Sequence, residues 1–257
     1  MSDEELIALN QKGFFPGPEE SEEAFCQRIE EVKKNILELK EQAIPYPHWD
    51  WTRMRLKEIF DFVPDCLPAF YSNRRLMPWQ AAACWVEGKR VASIQLRESL
   101  RKGNLLGLIQ REEILTHEAV HAARSPFEED RFEEYFAFAT SEKKWRRTLG
   151  PIVKRPWEVW PFLFCCLVGP FFPAAFFCAG LWAGLGFVRL VRGHRILQRA
   201  ADNLSQITRD ARFIRAILVR LTDREIEKIA KGESVSDTTL RWRLIRLAYW
   251  REVNHGT

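Results

Sequence analysis

Apolar positions Phe25, Ile29, Val32, Ile36 and Leu39 recur at spacings of three and four after a Pro16-Gly17-Pro18 break, which predicts an amphipathic helix. Residues 1–45 are accordingly read as a helical N-terminal arm packing on the main body. Over 46–80 the period is lost, and Pro45, Pro47, Pro64, Pro68 and Pro78 leave irregular connectors around one helix near 51–63. Short apolar runs follow. Residues 82–86, a turn at Gly88 and residues 90–96 predict a β-hairpin, and 105–110 a third strand after Gly103-Asn104. A helical period returns over 111–124, Ser125-Pro126 stops it, and a second helix is expected over 127–141. Strands followed by two helices through a tight turn make an α+β core over 46–145, a short antiparallel sheet with two helices.

The next segment has no polar phase at all. Residues 159–188 are thirty consecutive positions without a charge. As one straight helix they would reach roughly 45 Å, against a hydrocarbon core of about 30 Å. Pro161, Pro170 and Pro173 also disfavour one straight helix. Lys143, Lys144, Arg146, Arg147, Lys154 and Arg155 precede the run, and Arg189, Arg192, Arg195 and Arg199 follow it. Positive flanks remain cytoplasmic, so the run is expected to fold back near 169–173 as a membrane hairpin over 156–191. Residues 192–257 form a basic helical region. Ile214, Ile217 and Leu221 share one face with Arg209, Arg212, Arg220 and Arg224 around it, Gly232 is a break, and Ser234 or Ser236-Asp237 a cap. Residues 221–232 resemble a helix-turn-helix only faintly, and nucleic acid is not an expected partner.

Composition sharpens this division. The formal net charge of +4 hides a segregation. Residues 1–142 carry 18 basic and 26 acidic side chains, 143–188 carry 6 and 1, and 189–257 carry 15 and 8. The basic excess lies wholly in the second half, beside the apolar run, and points to a partner with negative charge, either anionic lipid or nucleic acid. Six cysteines without a C-x-x-C pair fit neither a disulfide framework nor a cysteine zinc site. The acidic start, Met1-Ser2-Asp3-Glu4-Glu5, lacks the pattern of a secretory signal, so reduced, cytosolic soluble parts are expected.

One constellation carries chemistry. His117-Glu118-Ala119-Val120-His121 is H-E-x-x-H, and residues four apart on a helix share a face, so both imidazoles reach one metal ion. With 5 His and 26 Glu in 257 residues, about 0.01 matches are expected by chance, so the pattern is worth pursuing. Zinc suits imidazole, and Glu118, next to the first ligand, is placed to take a proton from a bound water. A third ligand is required. Glu133 and Glu134 open the next helix. Glu134 is preferred, because Ala137 three residues on lets the helices approach while Phe132, Phe136 and Phe138 pack around them; Glu133 is the alternative. His48, His194 and His255 are read as ordinary histidines.

H-E-x-x-H followed by a Glu-x-x-Ala helix resembles the zincin metallopeptidases of the gluzincin type, over roughly residues 82–141. The resemblance implies zinc held by His117, His121 and Glu134, with Glu118 as general base and acid. It also implies a peptide or protein substrate paired in extended form with the strand at 90–96 or at 105–110. The twelve residues between His121 and Glu134 are fewer than in most gluzincins, so the turn between the helices must be tight. Tyr135, Tyr71 and His194 are the candidates for stabilising an oxyanion. The helix of the motif, beginning Arg111-Glu112-Glu113, is too charged to lie in lipid, which places the catalytic unit in water at the cytoplasmic face. Two functions compete: a membrane-anchored zinc peptidase, and a non-enzymatic adaptor whose zincin-like core and basic helices bind a partner or anionic lipid.

Overall fold

A computed structural model describes residues 1–39, 43–65, 67–78, 80–87, 90–105, 107, 109–208, 210–235 and 238–250. The helices are α1 (Asp3–Gln11), α2 (Glu22–Leu39), α3 (Asp50–Phe60), α4 (Arg111–Arg124), α5 (Glu133–Ala139), α6 (Lys144–Leu149), α7 (Val159–Val168), α8 (Ala174–Ser205), α9 (Ala211–Leu218), α10 (Asp223–Ala230) and α11 (Leu240–Tyr249). The strands are β1 (Ala69–Tyr71), β2 (Ala82–Glu87), β3 (Arg90–Leu96), β4 (Asn104–Leu105) and β5 (Ile109–Gln110). The fold is therefore mixed α+β and mainly helical, with two small sheets.

Strand β3 is the centre of the larger sheet. Alternation along it sends Ile94 and Leu96 into the core and Gln95 to the other face. There the Gln95 amide donates to the carbonyls of Ser72 and Arg74 and its oxygen accepts from the Trp85 indole. β2 pairs antiparallel to β3, but β1 pairs parallel to it, Ala69 opposite Ile94. The expected antiparallel sheet is thus corrected to a mixed one. Only three residues long and set among prolines, β1 has too few alternations to show a period. The expected third strand over 105–110 is corrected too. Both edges of β3 are taken, and β4 and β5 pair with each other instead. The predicted turn at Gly88 lies outside the described residues.

Helix α4 packs against β2 and β3 and against α3 and α5, burying Ile114, Leu115, Ala119, Val120, Ala122 and Ala123. Ser125-Pro126 ends it in a single tight turn. Glu128 then adopts a left-handed backbone (φ 54°), which delays the next helix to Glu133 instead of 127.

One apolar cluster extends from Phe15 to Tyr249, and a smaller one joins α1 and α2 to α11 through Leu6, Phe25, Ile29 and Leu244. Among the described residues, three arginines are fully buried in this body. Arg220 donates to Asn10 Oδ1 (2.6 Å) and the Phe60 carbonyl (2.9 Å) and lies over the Phe15 and Tyr249 rings. Arg124 donates to the carbonyls of Val219 and Leu221. Arg241 makes a two-pronged pair with Glu225 (2.8 and 2.9 Å), whose carboxylate also accepts from the Trp242 indole. Arg220, expected around the face of Ile214, Ile217 and Leu221, is instead fully buried, because carbonyls at helix ends need donors and guanidinium groups supply several at once. Arg209 and the cap proposed at Ser236-Asp237 lie outside the described residues.

The uncharged run becomes two helices. Pro161 is tolerated in the first turn of α7, Pro170 and Pro173 fall in the break, and α8 continues for 32 residues. Glu158 at the start of α7 meets Arg189 of α8 (2.7 Å), while Gly169 at its end meets Phe176, so the two helices pack antiparallel. α8 is long and apolar enough to cross a membrane by length and composition; α7 is shorter. Its second half docks on the body through Leu190, Gly193, Ala200 and Leu204, whereas its first half leaves Phe176, Phe177, Leu181 and Leu185 exposed.

Removing one partner of a buried ion pair leaves the other charge uncompensated. Glu225→Gln is expected to cost about 3–5 kcal/mol of stability by denaturant titration; a loss below about 1 kcal/mol would contradict the role assigned to this pair.

Candidate metal centre

Three sides of α4 are packed, and its open strip carries His117, Glu118 and His121. The four-residue spacing brings the imidazoles together, Nε2 to Nε2 at 3.2 Å. The tight turn then returns the chain so that the first turn of α5 faces them. Ala137, fully buried, lets the helices approach, Phe132 and Phe136 are buried behind it, and the Phe138 ring packs edge-on against His117 (4.6 Å).

The two consecutive glutamates play different parts. Each oxygen of Glu134 lies 3.5 Å from one Nε2, Oε2 from that of His117 and Oε1 from that of His121. Glu133 instead accepts from His121 Nδ1 at 2.9 Å. A proton held on Nδ1 leaves the Nε2 lone pair free to face the cluster, the arrangement in which a carboxylate orients a metal-binding imidazole. His117, His121 and Glu134 each offer a ligand atom, all within 4.8 Å of one another. A tetrahedral ion bonded at about 2.0–2.1 Å keeps its ligand atoms roughly 3.3 Å apart, so this donor set fits a metal such as zinc.

The charges around the cluster are consistent with a site prepared for a cation. Burial, with the neighbouring His121 and Arg146, holds His117 well below the ordinary histidine range, so its ring is neutral. Burial also lowers His121, but its bond to Glu133 and the charges of Glu134, Glu133 and Glu118 outweigh this and raise it to about 9. Burial raises Glu134 to about 7, with His121 opposing and Glu118 and Glu133 adding to the rise. Glu118 is raised as well, chiefly by burial.

These groups open into a cleft of about 810 Å³. One wall is β2, whose outer edge is free because the sheet order is β1-β3-β2. The edge strand expected to receive a substrate is thereby corrected: β3 is central and β4–β5 forms a separate ribbon, whereas β2 borders the cleft. Cys84 of β2 lies beside Glu118, its thiol pushed up by burial and by the charges of Glu118 and Glu133. Glu128, Glu129, Asp130 and Asp223 make an acidic rim, with Arg155 paired to Asp130 across it.

None of the three side chains expected to stabilise an oxyanion lines this cleft. Tyr135 donates to the carbonyl of Leu190 in α8, Tyr71 accepts from Arg111, and His194 contacts the Thr148 carbonyl. His48 accepts from Arg111, away from the cluster, and His255 lies outside the described residues. The position of Glu133 behind His121, the Cys84 thiol and the Arg155 bridge were not singled out from sequence. Each follows from a turn or an edge strand whose path the letters do not give.

Compared with protein-family models, curated proteins and solved structures, the chain matches none of them.

One equivalent of zinc is expected to bind, with affinity falling by about 100-fold or more in His121→Ala and Glu134→Gln and by about 10–100-fold in Glu133→Gln. Equal losses in the two glutamate variants would contradict the division of roles. His121 and Glu134 hold protons up to about pH 9 and about pH 7 in the metal-free site, and a metal must displace them. Zinc affinity should therefore rise with pH across this range; chelator competition at several pH values reads it, and a flat profile would contradict it.

Proposed function

We propose that this chain is a membrane-anchored zinc metallopeptidase with a small zincin-type core that cleaves peptide bonds in water at the cytoplasmic face. The observation that carries the reading is the convergence of His117, His121 and Glu134 at tetrahedral spacing, with Glu118 adjoining and a free strand edge alongside.

Zinc supplies Lewis-acid polarisation of a carbonyl and makes water acidic enough to ionise near neutral pH. The residues of the chain do the rest. Glu133 fixes the orientation of His121 through Nδ1. The free edge of β2 offers main-chain groups to an extended peptide and aligns it along the cleft. Glu118, raised by burial toward neutral pH, accepts a proton from the attacking water and returns it to the leaving amine nitrogen.

The anchor is the antiparallel pair α7 and α8. Its outer surface is apolar, with Leu167, Phe171 and Phe177 at the tip each more than 70% exposed. Trp145, Trp157, Trp160 and Trp182 stand nearer the base, where indoles favour the boundary between lipid and water. Ten residues of α7 and the fifteen uncharged residues at 174–188 give arms of roughly 15 and 22 Å, short of a hydrocarbon core of about 30 Å. The pair therefore enters one leaflet and returns, leaving both basic flanks on the same side, which the positive-inside rule makes cytoplasmic. At the base, Glu158 is neutralised by Arg189 before either reaches lipid.

In Glu118→Gln, peptide hydrolysis is expected to fall by about 10²–10⁴-fold while zinc stays bound. Retained activity would remove the mechanism. Phe171→Asp combined with Phe172→Asp should shift the protein out of the floating fraction in a vesicle flotation assay, because charge at the tip opposes burial in lipid. Unchanged flotation would remove the anchor.

A further inference from the structure

A second cleft, of about 490 Å³, lies among α3, α5, α6, α8 and α9 and shares none of the metal-cluster residues. We propose that it binds a phosphate-bearing ligand whose natural source is an anionic phospholipid headgroup. Three guanidinium groups line it, from Arg55, Arg147 and Arg215, against one carboxylate, Glu58. Two of the three are held in place by the fold. Arg55 donates through Nε to the Thr140 carbonyl and through Nη1 to Glu58, and Arg147 donates through Nη1 to the carbonyls of Ser141 and Glu142. Their other N–H groups are not used by these bonds, and a fixed guanidinium loses little entropy when it binds a phosphate oxygen.

Arg215 is different. It is exposed and has no carboxylate partner among the described residues, although an arginine beside an accessible carboxylate readily pairs, as Arg212 does with Asp210. The remaining wall does not compete for a phosphate. Tyr135 donates to α8, and His194 Nε2 donates to the Thr148 carbonyl. Gln198 is turned to Asp202. The net charge of the lining is therefore close to +2, in a space large enough for a phosphorylated ring or polyol rather than a bare ion.

The location favours lipid as the source. His194 follows Arg189, where charge resumes on α8, by five residues, or about 7.5 Å along the helix. The His194 end of the cleft thus lies at the depth of one headgroup layer, about 5–8 Å on each side of the hydrocarbon, and the lining continues along α8 to Ala201, about 18 Å beyond Arg189. Exposed Trp145 and Leu149 of α6 flank Arg147 at the same level, as side chains at a bilayer surface do.

The test uses the full-length protein in detergent and three probes: dioctanoyl phosphatidylinositol 4-phosphate, the soluble inositol 1,4-bisphosphate, and dioctanoyl phosphatidylcholine. Saturable binding of the first is expected by calorimetry, weakened about tenfold or more in Arg215→Gln and again in Arg55→Gln. The double variant Arg192→Gln/Arg199→Gln, which removes exposed charges of α8 outside the cleft, should bind as the parent does. Equal binding of the soluble bisphosphate supports the phosphate site and makes its ligand a soluble ester; weaker binding of it supports the lipid source. Equal binding of the phosphatidylcholine, or an equal loss in the double variant, overturns the proposal. Arg215 is exposed, so the thermal midpoint of Arg215→Gln without ligand should match the parent and separate a binding loss from misfolding.

Discussion

Almost everything at the metal centre depends on how α4 is buried. A helix packed by a sheet on one side and by α3 and α5 on others has a single strip left to face solvent. On that strip a four-residue interval between two imidazoles becomes a distance of 3.2 Å between their Nε2 atoms. The same burial removes water from the neighbouring carboxylates, raising Glu118 and Glu134 and leaving His121 to take up the charge of the cluster. Groups that would repel or remain hydrated on an exposed helix are here compatible only as a set. A divalent cation would complete such a set, since it would satisfy the carboxylate and the two lone pairs together.

The sequence carried the parts that depend on local interval. The H-E-x-x-H spacing, the Ser-Pro stop, the small Ala137 and the uncharged run with its prolines are all features of neighbouring residues, and the helices of the structure follow them. It did not carry what depends on the path of the chain. Glu133 and Glu134 are adjacent letters, yet about 100° apart around α5, and only the placement of that helix decides which faces both imidazoles. The parallel pairing of β1 needs a partner 25 residues away, Ile94 for Ala69, and leaves no period in a three-residue strand. Arg220 was legible only as one of several arginines around an apolar face; its burial, like that of Arg241, depends on helix ends and on Glu225 arriving from elsewhere.

The two halves of the charge segregation acquire separate duties. Acidic side chains gather around the cluster and its rim, where on the proposed reading a cation and a peptide amine would be the species to be handled. Basic side chains gather beside the apolar helices, where on the proposed reading they would meet anionic lipid. Arg155 is the exception. It sits four residues before α7 and closes on Asp130 at the cleft rim, so the root of the anchor and the mouth of the cleft share one ion pair.

Helix α8 runs unbroken from exposed apolar residues into the body, and Tyr135, next to Glu134, is fastened to it where Gly193 leaves room for the phenol. A rigid rod shared in this way acts as a standoff gauge. On the proposed reading it would set one elevation of the cleft over the bilayer and deny the protein the loose tether by which other anchored proteins sweep a large volume. A polypeptide emerging from the same leaflet would be met at a constant number of residues from its exit point, so that geometry, more than side-chain preference, would choose where it is cut.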